Sequence, residues 1–259
     1  MPDPRFASGE LIRRSGALIL SMAASYASLA LAEEVAPIST ERPSFSATPW
    51  SLEKGVWQIE TGILYVRDDD EQAYEDYSLP NALLRVGVGN RFELRLESVN
   101  YLWQEKEGVE HNGWSDLRLG FKWQATGKGD AFALGLHGGL GLPVGDEAFS
   151  GDEYRPSAAA FWSYSGGLDW FGTANISYAD ELFALENAVG ISFSLPGNTS
   201  SFVEYLGVFT EHSGPKHDLN LGASWLLSND FQLDVHGTAG LNSRANDLAL
   251  GVGLSYRFR

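Results

Sequence analysis

The 259-residue chain contains no cysteine and only two methionines. Without thiols there is no disulfide framework, no thiolate metal site and no cysteine nucleophile. Such a chain also crosses an oxidising compartment without mispairing. Basic side chains are scarce, with 18 Lys and Arg against 34 Asp and Glu, a formal net charge of −16. That balance repels polyanions, so no nucleic-acid partner is expected. Beyond the first 32 residues no apolar run approaches the roughly 20 residues of a membrane-crossing helix.

Catalytic signatures are missing as well. There is no Gly-x-Ser-x-Gly elbow, no HExxH zinc motif and no glycine-rich phosphate loop. None of His111, His137, His212, His217 and His236 has a serine two residues on, the spacing that sets base and nucleophile on one strand face. His236-Gly237-Thr238 comes nearest and reads as a polar pair. His137 shares its strand face with Gly135, Gly139 and Gly141 and has no nucleophile beside it. No enzymatic activity, cofactor or metal site is expected.

What is present begins with a targeting signal. Arg13 and Arg14 precede an apolar, small-residue run from Ala17 to Leu31 that ends Ala30-Leu31-Ala32 before Glu33. A positive region, a short apolar core and an A-x-A site make residues 1–32 a cleavable signal peptide. Its removal leaves 15 basic and 32 acidic side chains, a net charge of −17. Residues 33–55, with Pro37, Pro43 and Pro49, form a short lead-in segment expected on the periplasmic side, ahead of a single domain over 56–259.

From Val56 onward every second residue tends to be apolar or aromatic, in segments the length of a membrane-crossing strand, about 9–11 residues. In the last segment Leu248, Leu250, Val252, Leu254, Tyr256 and Phe258 share one face, with Ala249, Gly251, Gly253, Ser255 and Arg257 on the other. About twelve such segments are counted, near 56–66, 80–89, 91–101, 114–125, 130–142, 155–165, 168–178, 182–195, 200–210, 217–228, 230–241 and 247–258. Long polar connections at Arg67–Ser78, Leu102–Gly113 and Pro143–Tyr154 alternate with tight turns such as Gly89-Asn90 and Pro196-Gly197-Asn198. Ala179-Asp180-Glu181 is short and breaks that alternation. Short turns on one rim and long loops on the other fit an outer-membrane barrel, and an even strand count returns both termini to the periplasmic rim.

Period two also occurs in soluble barrels and sandwiches, whose apolar face points inward. Two features select the membrane form. If the apolar face pointed inward, Gly62, Gly120, Gly251 and Gly253 would weaken the solvent side of strands for no return. Aromatics also cluster toward strand ends, as in Trp57 and Tyr65, Tyr101 and Trp103, Trp114 and Trp123, Trp170 and Tyr178, and Tyr256 and Phe258. Two aromatic belts at headgroup depth are a property of membrane barrels. The expected fold is all-β, a closed antiparallel transmembrane barrel of about twelve strands.

Four stretches carry a resemblance. They are Glu41-Arg42-Pro43-Ser44-Phe45 leading to Gly55-Val56-Trp57-Gln58-Ile59-Glu60-Thr61-Gly62; Gly113-Trp114-Ser115-Asp116-Leu117-Arg118-Leu119-Gly120-Phe121-Lys122-Trp123; Leu142-Pro143-Val144-Gly145-Asp146; and Gly253-Leu254-Ser255-Tyr256-Arg257-Phe258. In this order they resemble the outer-membrane transporter family of the meta-cleavage pathway of phenol degradation. The resemblance spans nearly the whole mature chain. It implies a bacterial outer-membrane barrel linked to uptake of aromatic or other poorly soluble compounds. The last strand also resembles the terminal signal read by the barrel-assembly machinery, except that Arg259 follows Phe258.

The polar residues expected on the inner wall are Arg85, Glu93, Arg95, Glu97, Arg118 and Lys122, with Glu60, Glu204 and Asp234 from other strands. A turn at Gly89-Asn90-Arg91 would oppose Arg85 to Arg95 and Gly87 to Glu93, a mixed-sign ladder at cross-strand distance. These nine residues form either a charged constriction that sorts solutes or a salt-bridged plug that fills a narrow barrel. The acidic run Asp68-Asp69-Asp70-Glu71, with Glu75 and Asp76, lacks calcium-loop spacing and reads as a solvated loop. The expected function is passive uptake of small, apolar or aromatic solutes. The alternative is a plugged structural or adhesive barrel. Expected partners are outer-membrane lipid and lipopolysaccharide, the assembly machinery and a small-molecule solute.

Overall fold

The computed structural model describes residues 36–69, 73–179 and 181–259. The signal peptide expected over 1–32 lies outside the described residues, as do Asp70, Glu71 and Asp180. The strands are β1 (Trp57–Asp68), β2 (Tyr74–Gly87), β3 (Phe92–Lys106), β4 (Val109–Trp114), β5 (Leu117–Gln124), β6 (Phe132–Leu142), β7 (Arg155–Gly166), β8 (Leu168–Ala179), β9 (Leu182–Leu195), β10 (Thr199–Thr210), β11 (Lys216–Ser228), β12 (Phe231–Gly240) and β13 (Leu248–Phe258). Each pairs antiparallel with its neighbour, and β1 pairs with β13 from Trp57↔Phe258 to Arg67↔Leu248, which closes the sheet. Closure leaves no free edge in the hydrocarbon, where each unsatisfied backbone group would cost several kcal/mol.

Thirteen strands make twelve barrel staves. β3 pairs along its first half with β5 and along its second half with β4, so β4 and β5 are one stave broken at Ser115-Asp116. Asp116, at the break, tethers the loop between β6 and β7. Its carboxylate accepts the N–H groups of Val144, Gly145 and Gly151 at 3.0–3.1 Å.

The side-chain arrangement is inverted relative to a soluble protein. Phe121, Val252 and Leu250 are about half exposed, whereas Lys122, Arg85, Glu60, Glu93 and Glu204 have no exposure at all. One aromatic belt circles the rim that carries the C-terminus, with Trp57 beside Phe258 and Phe92 beside Trp123. The second circles the loop rim, where Tyr65, Tyr77 and Trp103 lie in one row and Tyr178 pairs with Phe183. From Trp57 to Tyr65, β1 climbs about 27 Å, or about 21 Å of height at a 40° tilt, close to the apolar band of such barrels.

Two connections differ from the sequence reading. The loop expected over Arg67–Ser78 is shorter, because Tyr74–Ser78 continues β2 and Tyr65 pairs with Tyr77. The stretch Leu102–Gly113 is a hairpin turning at Glu107-Gly108, both with positive φ (53° and 75°), the dihedral signs of a type I′ turn. Beyond the bilayer both faces of a strand meet water, so the alternation that marks strands fades. The loop expected over Pro143–Tyr154 is in place between β6 and β7.

A lumen sealed on one side and hollow on the other

Residues 38–55, expected to precede the barrel, run inside it. They enter at the terminal rim, where the Ile38 N–H bonds the Asn229 carbonyl, and leave where the Gly55 N–H bonds that of Gly87. This segment belongs to no sheet, so its buried N–H groups need other acceptors. Wall carboxylates supply them. Glu60 accepts from the N–H groups of Glu41 and Arg42 at 2.8 and 3.0 Å. Glu204 accepts from those of Phe45 and Ser46 at 2.8 and 2.9 Å. Glu93 accepts from that of Leu52 at 2.9 Å.

Glu60 and Glu93 also join an ion cluster centred on Glu41. Its carboxylate lies 2.6 Å from Lys122 Nζ, 3.0 Å from Arg95 and 3.4 Å from Arg85. Arg85 also bonds Glu60 at 2.9 Å and Glu93 at 3.0 Å, and its remaining N–H groups reach the carbonyls of Ser39 and Trp50. Lys122 donates to the Thr48 carbonyl at 3.0 Å. Arg95 bonds Glu97 at 2.5 Å, and Glu97 reaches His137 at 3.1 Å. Arg85, Arg95 and Lys122 thus face Glu41, Glu60, Glu93 and Glu97, and the surplus negative charge rests on segment N–H donors. A buried cluster of this kind is tolerable only when each member has partners.

A second anchor explains two of the inward glycines. Arg42 forms an ion pair with Asp234 at 3.1 Å. Its guanidinium lies across Gly62 and Gly253, which pair between β1 and β13, and a methyl group on Gly253 would overlap it. In the same way the segment backbone crosses Gly87 at Glu53 and Gly135 at Pro49.

The opposite side of the lumen is hollow, polar toward the loop rim and lined by serines and phenylalanines toward the terminal rim. A cavity of about 260 Å³ opens toward the loop rim, lined by Arg118, His137, Phe161, Thr173, Asn175 and Glu186 among others. A second, of about 300 Å³, lies toward the terminal rim against Ser163, Phe171, Ser192, Ser200, Phe202 and Ser224. Ser44 and Ala47 of the internal segment line both.

All nine wall residues expected from the sequence point inward, in two groups. Arg85, Glu93, Arg95, Glu97, Lys122 and Glu60 gather around Glu41, with Arg118 at their edge, 4.0 Å from Glu97. Glu204 and Asp234 each hold the internal segment elsewhere. Arg85 does pair with Arg95, and Gly87 with Glu93. A bulge between Ala82 and Leu84 ends that register, and on the other side of β3 Glu97 pairs with Arg118 of β5. Sequence reasoning missed Glu41 and Arg42 as wall partners, together with Gln58, Gln124 and Asn220, which are buried in the lumen.

Comparison with known proteins adds the lineage of this architecture. A family model described as "Putative MetA-pathway of phenol degradation" matches residues 40–258. Among solved structures, the chain is similar to an outer membrane channel from Pseudomonas putida F1, with a TM-score of 0.59 at 11% identity over 83% of this chain and 100% of that one. It is also similar to the KdgM porin in complex with disordered oligogalacturonate, with a TM-score of 0.52 at 9% identity over 79% and 99% of the two chains. The NanC porin gives a TM-score of 0.50 at 7% identity over 77% and 98%. At these identities the likeness is one of fold, an outer-membrane porin barrel. No curated protein matches the chain in sequence.

Proposed function

The chain belongs to this phenol-degradation family, and on that footing we propose that it is an outer-membrane channel for passive uptake of small apolar or aromatic solutes. The observation that carries the reading is the pair of lumen cavities that meet at Ser44 and Ala47. A solute passing between them must displace only that short piece of the internal segment, while the ion cluster stays intact. Phe161, Phe171 and Phe202 give the path an aromatic lining, which suits a ring better than a hydrated ion. In this reading the signal ends near Ala32, the terminal rim is periplasmic, and the aromatic belts meet lipid and lipopolysaccharide headgroups. Assembly through the final strand is part of the same proposal.

The test is reconstitution of the full mature chain into liposomes with a small aromatic solute outside. Influx above that of empty vesicles is expected. Neither influx nor conductance above the empty control would count against a channel. A second reading, a plugged structural or adhesive barrel, draws on the completeness of the Glu41 cluster. It requires the lumen to stay impermeable even when the segment is loosened.

A further inference from the structure

The cations of the lumen differ in how fully they are used. Arg85, Arg95 and Lys122 each have two or more carboxylate partners, and Arg42 has Asp234. Arg118 is different. Among the described residues its nearest carboxylate oxygen, on Glu97, is 4.0 Å away, its side chain is 37% exposed, and its Nε is buried without a hydrogen-bond partner.

Register explains the difference. Arg118 pairs with Gly141, and Gly141 with Arg155, so the two arginines flank a residue with no side chain. One row below, Gly120 pairs with Gly139 and Gly139 with Ser157. The Nε of Arg155, the Oγ of Ser157 and the Oγ1 of Thr173 are also buried without partners. Unpartnered hydrogen-bonding atoms therefore gather on β5, β7 and β8, with Arg118 and Thr173 on the wall of the loop-side cavity where Phe161 supplies a ring, and Ser157 and Arg155 beside it, the Arg155 guanidinium lying against Gly151 within reach of the Asp116 charge. The acidic groups of that cavity are occupied. Glu97 is held by Arg95 and His137, and Glu186 by Asn175 at 2.8 Å. Buried donors left unmade are costly, and a carboxylate satisfies arginine and hydroxyl donors together.

We propose that this bay binds a carboxylate, with Arg118 as principal contact and Arg155, Ser157 and Thr173 at its edge, and that the transported solute is a small aromatic acid whose ring lies on Phe161. The inference rests on the channel reading and narrows its substrate class. The cavity's roughly 260 Å³ falls just below the range of drug-sized pockets, which suits a single ring. On a chain of net charge −16, an anion needs such a local cation at the mouth, since the wider field repels it.

Benzoate and its neutral near-isostere benzamide are the probes, at pH 8, with the full mature chain in detergent micelles and in liposomes. Equilibrium binding in micelles is expected to favour benzoate by about tenfold or more, the weight of a charge-assisted contact. Arg118→Gln is expected to abolish that preference, Arg118→Lys to keep part of it, and Arg155→Gln to reduce it severalfold. Equal binding of the two probes, or a preference unchanged in Arg118→Gln and Arg155→Gln, overturns the site. Should Arg118→Gln fail to fold, by heat-modifiable mobility, Thr173→Val must lower the preference instead. The liposome arm separates the two claims. Flux without a benzoate preference leaves the channel and removes the carboxylate site. An arginine-dependent preference without flux does the reverse.

Discussion

On the β1–β5 side of the lumen, the internal segment meets Arg85, Arg95, Lys122, Glu60 and Glu93, and every charge is matched at 2.6–3.4 Å. On the β6–β10 side it meets mainly serines and phenylalanines toward the terminal rim, and among the described residues Glu204 is the one carboxylate of these strands that grips it. The first wall stands against water because a buried charge that lost its partner would be left without compensation. The second has nothing comparable to lose. One short segment is thus locked along one wall and merely leaned on along the other. If the chain is a channel as proposed, stability and permeability belong to opposite sides of a single lumen.

The comparison breaks most visibly at Glu41. Glu41→Ala strips one carboxylate from Arg85, Arg95 and Lys122 together. Removing one member of a buried ion cluster costs about 3–5 kcal/mol. Urea unfolding of the reconstituted protein should show a loss of that order, together with a rise in conductance. If stability holds within about 1 kcal/mol, the sealed wall is not sealed by charge.

A smaller effect is expected at Gly253. A methyl group there overlaps the Arg42 guanidinium, so Gly253→Ala should displace Arg42 and leave Asp234 buried alone. An unsatisfied buried charge costs about 1–3 kcal/mol or more. Midpoint urea concentration reads the loss, and conductance reads how far the segment has loosened.

Both positions show what the sequence could and could not disclose. The outward Leu250, Val252 and Leu254 and the inward Gly251 and Gly253 are legible because a membrane strand must alternate. The opposition of Arg85 and Arg95 is legible because a tight turn fixes register. Glu41 and Arg42 are not, since the segment that carries them has no period of its own. Its hydrogen bonds go to carboxylates scattered over β1, β3 and β10. One signal was present, because buried wall charges of both signs require partners, and a polar, proline-bearing segment of suitable length stands just ahead of the first strand. Which residue meets which depends on how the barrel closes, and no local pattern encodes that.

The hollow side should respond in the opposite sense. Ser192→Phe places a ring in the terminal-side cavity of about 300 Å³. Aromatic influx into liposomes should fall severalfold. Stability should change by less than about 1 kcal/mol, because no buried charge is disturbed. Unchanged influx would move the path away from β6–β10.

The smallest effect is expected at the terminal rim, outside the lumen. Asp230, in the turn between β11 and β12, accepts from Arg257 Nε at 2.7 Å and Arg259 Nε at 3.3 Å, tying the end of β13 to that turn. Partial burial raises its carboxyl, but hydrogen bonds from Arg257 and Arg259 outweigh this and hold it below the ordinary 3.8. A depressed folded value means that the contribution is complete above about pH 3.8 and is lost as acid takes the solution down through the folded value. The short distances invite a large estimate, yet Asp230 is 35% exposed, and screening by water and salt limits such pairs to a few tenths of a kcal/mol. Asp230→Asn should therefore shift the urea midpoint barely at pH 7, and by progressively less as the pH falls below 3.8 toward the lowered folded value. Added salt should shrink the pH 7 difference further while leaving the Glu41→Ala defect in place, since a buried cluster is screened far less. Equal salt sensitivity of the two variants would mean that water reaches Glu41, and the two walls would then differ in residues but not in physics.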